Sequence, residues 1–166
     1  MKTESVYFSL GSNLWDRRAN ILTAVSKMDA AFGVHYSSLS KIIETVPWGF
    51  FSARNFLNCV ILYHLDIDSD SKSEEDACLE ILRKCQKIEK DMGRDDEMEI
   101  TNEGDRVYHD RIIDIDFLFC GTIRLHHQDL ILPHPLIAQR DFVMLPLQEV
   151  AEPVLYAEFP DLFESK

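Results

Sequence analysis

Two aspartates separated by one residue, Asp114 and Asp116, carry the strongest chemical signal in this 166-residue sequence. They lie in residues 111–120, an apolar run typical of a β-strand, where alternate side chains point to the same face. Two carboxylates held side by side repel each other unless a cation lies between them, and Mg²⁺ with phosphate oxygens as its other ligands suits that arrangement. The pair therefore predicts a metal site, and a solvated strand face with two incidental acids is the alternative. The opposite face of the strand is expected to pack against helices through Ile113, Ile115, Phe117 and Phe119.

Basic side chains flank this strand. Arg111 lies at its beginning, and Arg140 follows a turn with the sequence Leu-Pro-His-Pro at residues 132–135. A guanidinium group binds phosphate oxygens in a fixed fork geometry. His134 in the turn could also donate to a phosphate, although a lone histidine is more often structural. These neighbours strengthen the metal hypothesis and indicate phosphate groups beside the metal.

The composition describes the class of protein. The chain is 46% hydrophobic and 28% charged, which is typical of one globular domain. Its formal net charge of −12 argues against nucleic acid or an anionic membrane as the main partner. Residues 1–5 lack the features of a signal peptide, and the four cysteines form no Cys-x-x-Cys pair. We therefore expect a cytoplasmic monomer with reduced thiols, small-molecule partners and no membrane partner.

The order of elements predicts the fold. Periodicity and turn residues indicate strand 6–10, then a helix capped by Asn13 or Asp16 and ending at Gly33, then strands 36–46 and 56–65. A second helix ends at Gly93 and is followed by a polar loop at 94–110. Strand 111–120, a short strand 122–125 and short helices within 133–150 complete the order. This is the α+β, ferredoxin-like order, with an antiparallel sheet and helices packed on one face. We expect one domain spanning residues 1–166, with the tail 151–166 unassigned.

Several motifs along the chain resemble one enzyme family. They are Leu-Gly-Ser-Asn-Leu at 10–14, Glu-Thr-Val-Pro-Trp-Gly at 44–49, Asn-Phe-Leu-Asn at 55–58, Ile-Glu at 88–89 with Met-Gly-Arg at 92–94, and Arg-Ile-Ile-Asp-Ile-Asp-Phe-Leu at 111–118 followed by 132–135 and Arg-Asp-Phe-Val at 140–143. In this order they are similar to the 6-hydroxymethyl-7,8-dihydropterin pyrophosphokinases. The resemblance extends to about residue 150.

The resemblance implies an ATP-dependent diphosphotransferase of folate biosynthesis. Diphosphate would pass from ATP to the hydroxymethyl group of the pterin, and AMP would be released. By position, two Mg²⁺ ions would be held by Asp114 and Asp116. The catalytic set would be Arg94, Arg111, Asp114 and Asp116. The ATP-binding set would be Gln86, Glu89, Tyr108, Arg111, His134 and Arg140.

The resemblance also implies a pterin pocket. Its residues would be Thr45, Val46, Trp48, Phe56, Asn58 and Phe142. Asn58 would bond the polar edge of the ring, and Phe56 and Phe142 would stack on its two faces. From the residues alone, plain core packing of the two phenylalanines is the alternative.

The chain departs from the family pattern in the loop 94–110. The family commonly has Trp-Gly-Pro before the arginine at position 111, whereas this chain has Tyr108, His109 and Asp110. Tyr108 can still stack on a ring, and Arg106 could supply a cation.

Two other functions fit parts of the pattern. A non-catalytic nucleotide- or pterin-binding regulator would share the fold, and a metal-dependent phosphoesterase would use the two aspartates. No further carboxylate–histidine cluster favours a phosphoesterase, and ADP-forming kinases are disfavoured because the sequence has no P-loop or kinase glycine loop.

Overall fold

An antiparallel five-stranded sheet is the framework of the molecule. The structure is a computed structural model that describes residues 2–48, 52–67, 72–93 and 110–164. The strands are β1 (Lys2–Ser12), β2 (Ser38–Leu39), β3 (Ile43–Thr45), β4 (Phe56–Ile67) and β5 (Asp114–Cys120), with a hairpin of β6 (Leu125–His127) and β7 (Leu130–Leu132). The helices are α1 (Arg17–Phe32), α2 (Glu74–Asp91), α3 (Asp141–Val150), α4 (Pro153–Glu158) and α5 (Pro160–Phe163), with a 3-10 turn at Ile137–Gln139.

The strand order is β2–β4–β1–β5, and β3 pairs with the same edge of β4 as β2. β1 lies at the centre, where it pairs antiparallel with β4 and β5. This arrangement confirms the predicted α+β, ferredoxin-like fold. The predicted strand 36–46 is divided into β2 and β3 at Ser40, whose Oγ accepts a hydrogen bond from the Val60 amide.

Capping residues mark the ends of the two long helices. The Asp16 carboxylate caps α1 by accepting from the Ala19 amide, and Gly33 ends it at a left-handed φ of 73°. Ser73 caps α2 in the same way, and three acidic residues in the first turn complement the helix dipole.

Each face of the sheet has its own core. Val6, Phe8 and Leu10 of β1 pack with α1 and α2, whereas Tyr7 lies on the opposite face with Val143 and other residues of α3. The prediction placed helices on one face only. The structure has α1 and α2 on that face and adds α3 and α4 against the other.

A bulge in β5 changes one predicted orientation. Phe8 pairs with Phe117, but the next residue back, Tyr7, pairs with Phe119, so Leu118 is an extra residue. Both Leu118 and Phe119 therefore lie on the α3 face, whereas Ile115 and Phe117 lie on the α1–α2 face. The prediction that Phe119 shares a face with Phe117 is wrong, because strict alternation fails at a bulge.

The C-terminal segment, unassigned from the sequence, is fastened to the α3 face of the sheet. The Glu152 carboxylate accepts hydrogen bonds from Ser5 Oγ and from His64 Nε2, the latter at 3.1 Å. The Glu152 amide donates to the Tyr7 hydroxyl at 2.9 Å. These contacts hold the start of α4 beside β1 and β4. Among the described helices, none is both long and apolar enough to cross a bilayer.

Candidate active site

A pocket opens on the α3 face of the sheet, where the ends of β1, β3 and β5 meet the start of α3. It contains about 510 Å³ of space, a volume that includes its open mouth. Its lining residues are Ser9, Gly11, Thr45, Val46, Trp48, Phe56, Asn58, Arg111, Asp114, Asp116, Arg140 and Phe142.

The pocket brings together all six predicted pterin-binding residues and four of the predicted metal, catalytic and phosphate-binding residues. Sequence reasoning missed Ser9 and Gly11. Ser9 pairs with Asp116, and Gly11 pairs with both Asp114 and Asn58 across the sheet. Strand alternation gave part of the signal: because Leu10 is apolar and faces the core, Ser9 and Gly11 lie on the opposite face. Their proximity to the aspartates depends on the pairing of β1 with β5.

Two acid–arginine pairs form one wall. Arg111 Nη1 lies 2.8 Å from Asp114 Oδ1, and Arg140 Nη1 lies 3.5 Å from Asp116 Oδ2. Both arginines are buried, at 6% and 8% exposed. Burying a charge is costly unless an opposite charge accompanies it, so these pairs keep two guanidinium groups inside the pocket.

Arg140 is arranged to meet a further acceptor. Its guanidinium carbon lies 4.5 Å from the centre of the Trp48 ring and 5.7 Å from that of Phe142. Within the part of the chain that the structure describes, its buried Nε has no hydrogen-bond acceptor. A buried donor left without an acceptor costs about 1–3 kcal/mol. An oxygen of an anionic ligand would remove that cost.

The carboxylates suit a hard divalent cation. Asp114 and Asp116 are the acids of the pocket lining, and in residues 2–48, 52–67, 72–93 and 110–164 no group of three potential metal ligands occurs. Mg²⁺ is commonly held by one or two carboxylates and completes its six ligands with phosphate oxygens and water. The donor set therefore fits Mg²⁺ arriving with phosphate, and it does not provide a complete cage of protein ligands.

The other wall of the pocket combines a buried amide side chain with aromatic rings. Asn58 is 3% exposed, and its Nδ2 donates to Thr45 Oγ1 at 2.5 Å. A Cβ at Gly11 would lie 2.8 Å from Asn58 Oδ1 and 3.4 Å from a ring carbon of Phe56. The absence of a side chain at Gly11 thus leaves room for the Asn58 amide. Phe56 and Phe142 are half-buried and line the pocket, and Phe142 also packs against the core on the α3 face.

Two buried polar side chains position the pocket wall from behind. Asn13 Oδ1 accepts from the backbone N–H of Arg111 at 2.6 Å, and the backbone N–H of Asn13 donates to the Arg111 carbonyl at 3.0 Å. From α2, Glu89 Oε2 accepts from the Ile115 amide at 2.9 Å, between the two aspartates. Glu89 is only 6% exposed and does not line the pocket.

Three predicted ATP-binding residues lie outside the pocket lining. They are Gln86, which is exposed on α2, Glu89, and His134, whose Nδ1 accepts from the Leu136 amide at 3.2 Å. Their role toward ATP stays a prediction. The predictions for Arg94, Arg106 and Tyr108 fall outside the described residues.

Comparison with known proteins identifies the family. The model of the 7,8-dihydro-6-hydroxymethylpterin-pyrophosphokinase family (HPPK) matches residues 7–152. An enzyme of Porphyromonas gingivalis, named 2-amino-4-hydroxy-6-hydroxymethyldihydropteridine pyrophosphokinase, is 41% identical over 93% of this chain and 95% of its own. An enzyme of the same name from Aquifex aeolicus is 31% identical over 92% of this chain and 83% of its own.

Solved structures share the fold. An HPPK-DHPS structure in complex with substrates superposes with a TM-score of 0.59 at 13% identity, and one from Plasmodium falciparum with 0.60 at 15%. They cover 90% and 98% of this chain, which spans only 40% and 42% of theirs. The family match along residues 7–152, together with the relatives above, confirms the predicted resemblance: this chain belongs to the 7,8-dihydro-6-hydroxymethylpterin-pyrophosphokinase family.

Proposed function

We propose that this protein transfers diphosphate from ATP to the hydroxymethyl group of 6-hydroxymethyl-7,8-dihydropterin, yielding AMP and the pterin diphosphate in folate biosynthesis. The observation that carries the proposal is a pocket lined on one side by the aromatic rings of Phe56 and Phe142 and on the other by two acid–arginine pairs. A flat heterocycle and a polyphosphate could lie there side by side, with the alcohol facing the phosphates.

The acidic wall would receive the nucleotide. Asp114 and Asp116 would hold two Mg²⁺ ions, which when bound neutralise the charge on the reacting phosphate oxygens. Arg111 and Arg140 would donate to phosphate oxygens and so stabilise the departing AMP. Gln86, Glu89, His134 and the residues Arg94 and Tyr108 remain the proposed further nucleotide contacts.

The uncharged wall would receive the pterin. Asn58 and Thr45 would bond the polar edge of the ring, while Phe56 and Phe142 would stack on its faces, with Val46 and Trp48 at the rim. The hydroxyl oxygen would then form a bond to the β-phosphorus of ATP while the bond from that phosphorus to the oxygen bridging to the α-phosphorus breaks. The hydroxyl proton would leave to solvent or to a phosphate oxygen. Catalysis would rest on positioning and charge.

The setting of the enzyme is part of the proposal. One domain spanning residues 1–166 would act as a cytoplasmic monomer on small molecules, without nucleic-acid or membrane partners.

Product analysis tests the function. In a single turnover with Mg²⁺, ATP and the reduced pterin alcohol, we expect AMP and pterin diphosphate in equal amounts. ADP with a pterin monophosphate, or AMP without a pterin ester, would contradict the proposal.

A matched pair of variants tests whether Asp116 in the acidic wall holds Mg²⁺. Asp116→Asn should lower kcat about 100-fold or more, because a poorly held Mg²⁺ ion no longer neutralises the charge that develops on the reacting phosphate. Asp129→Asn, an exposed acid in the β6–β7 turn, should be neutral. Near-normal activity of Asp116→Asn at ordinary Mg²⁺ concentrations would remove Asp116 from the metal site.

A further inference from the structure

One carboxylate outside the pocket lining collects hydrogen bonds from two other segments of the chain. Asp110 Oδ1 accepts from Asn13 Nδ2 and from Ser52 Oγ, each at 2.7 Å, and Asp110 Oδ2 accepts from Arg54 Nη1 at 3.0 Å. The Asp110 side chain is 26% exposed. Burial alone would raise the pKa of Asp110, but the bonds from Ser52, Asn13 and Arg54 outweigh it and lower the pKa, so the group accepts as a carboxylate.

These bonds join the segments that carry the two walls of the pocket. On one side, Asp110 precedes Arg111, whose backbone is held by Asn13 and whose side chain pairs with Asp114. On the other side, Ser52 and Arg54 form the turn that leads into β4 and so to Phe56 and Asn58. Asn13 Nδ2 also donates to the Arg54 carbonyl at 3.2 Å, which makes a second link between the same segments.

We propose that Asp110 is a positioning residue that couples binding on the two walls of the pocket. A phosphate bound by Arg111 would fix the backbone at Asp110, and Asp110 would then fix the turn at Ser52 and Arg54 that precedes the ring-binding residues. Coupling of this kind is reciprocal, so each ligand raises the affinity for the other by the same factor. The inference rests on the proposed function, because it names the pterin and ATP as the two ligands.

The competing explanation is that the contacts of Asp110 only stabilise the fold. A measurement of ligand binding distinguishes this explanation from coupling.

The experiment measures the pterin dissociation constant by calorimetry with and without Mg²⁺ and α,β-methylene-ATP. In this analogue a carbon replaces the bridging oxygen at which transfer would break the bond, so no turnover occurs. The ratio of the two constants is the coupling factor. We expect about 5-fold or more in the natural protein, the lower end of typical couplings, and less than about 2-fold in Asp110→Ala and in Arg54→Ala. The variant that carries both Asp110→Ala and Arg54→Ala should lose no more of the coupling than either single variant.

Two further variants make the result interpretable. Asp91→Ala removes an exposed carboxylate that pairs with Lys87 Nζ at 2.9 Å within the same helix, and it should keep the natural coupling factor. Asp110→Asn keeps the shape and an acceptor oxygen but loses the charge, and it serves if Asp110→Ala folds poorly. We expect it to retain less coupling than the natural protein.

Three outcomes would overturn the proposal. The first is a natural coupling factor in both Asp110 variants. The second is a lower melting temperature with an unchanged coupling factor, because the contacts of Asp110 would then only stabilise the fold. A natural protein that binds both ligands without coupling would also overturn it, yet leave the proposed function intact. If the natural protein binds neither ligand, the proposed function fails and this inference fails with it.

Discussion

Replacing Gly11 by alanine should weaken pterin binding while leaving the nucleotide side almost unchanged. The added Cβ would lie 2.8 Å from Asn58 Oδ1, a distance that real Cβ contacts almost never show. Asn58 must therefore shift, and its hydrogen bond to Thr45 Oγ1 is then strained or lost. Overpacking costs about 1–3 kcal/mol and a neutral hydrogen bond contributes about 0.5–1.5 kcal/mol.

About 2 kcal/mol of this total should appear as lost pterin affinity, which is roughly 30-fold in Kd. Calorimetric titration with the reduced pterin alcohol, in the presence of the non-reactive ATP analogue, measures it. We expect the affinity for the nucleotide alone to change by less than about 3-fold, because the three atoms nearest the added Cβ belong to Asn58, Phe56 and Leu57 and not to the acid–arginine pairs.

Gly33→Ala is the matched control. A Cβ at Gly33 would have open space, but its φ of 73° is unfavourable for alanine by about 1–2 kcal/mol. It should lower stability without changing pterin affinity. Pterin binding by Gly11→Ala within 2-fold of the natural value would refute the view that this glycine makes room for the Asn58 amide.

Three other substitutions test separate parts of the structure. Glu89→Ala leaves the Ile115 amide without its acceptor and should lower the free energy of unfolding in urea by about 1–3 kcal/mol, whereas Glu89→Gln, which keeps an acceptor, should lose less. Phe142→Ala should weaken pterin binding by about 1–3 kcal/mol and ATP binding far less; normal pterin binding with a lower melting temperature would assign Phe142 to the core. The hydrogen bond from Ser5, aided by His64 and opposed by burial, lowers the pKa of Glu152 from its ordinary 4.5. Glu152→Gln should therefore cost at most about 1 kcal/mol of stability at pH 7, because water screens a side chain that is 35% exposed. Its difference from the natural protein should shrink below about pH 4.5, as the carboxylate protonates; a constant difference down to pH 3 would contradict this.

Local sequence patterns were sufficient to predict much of the fold and the shared face of the two aspartates. Strand alternation correctly placed Asp114 and Asp116 on one face, and capping residues located the start of α1 and the end of both long helices. These features depend on a few neighbouring residues, so the sequence displays them directly. The six predicted pterin-binding residues needed the family resemblance, because a half-buried phenylalanine and a core phenylalanine look alike in a sequence.

Features that depend on distant pairing were not predictable. The Leu118 bulge reflects the register between β1 and β5, and strict alternation put Phe119 on the wrong face. Gly11 resembled a turn residue but belongs to β1, opposite Asn58. The role of Asp110 likewise depends on Ser52 and Arg54, which are far away in sequence.

The central position of β1 has a consequence for how the protein assembles during synthesis. β1 is made before both of its neighbours, and its pairing with β5 requires Val6 to meet Cys120 and Gly11 to meet Asp114. Pairings so far apart in sequence close slowly, and until then an edge of β1 is available to other chains. Because β5 also carries both aspartates, the step that protects β1 is the same step that completes the acidic wall. A nascent chain halted before residue 114 would therefore be prone to aggregation and would also lack that wall.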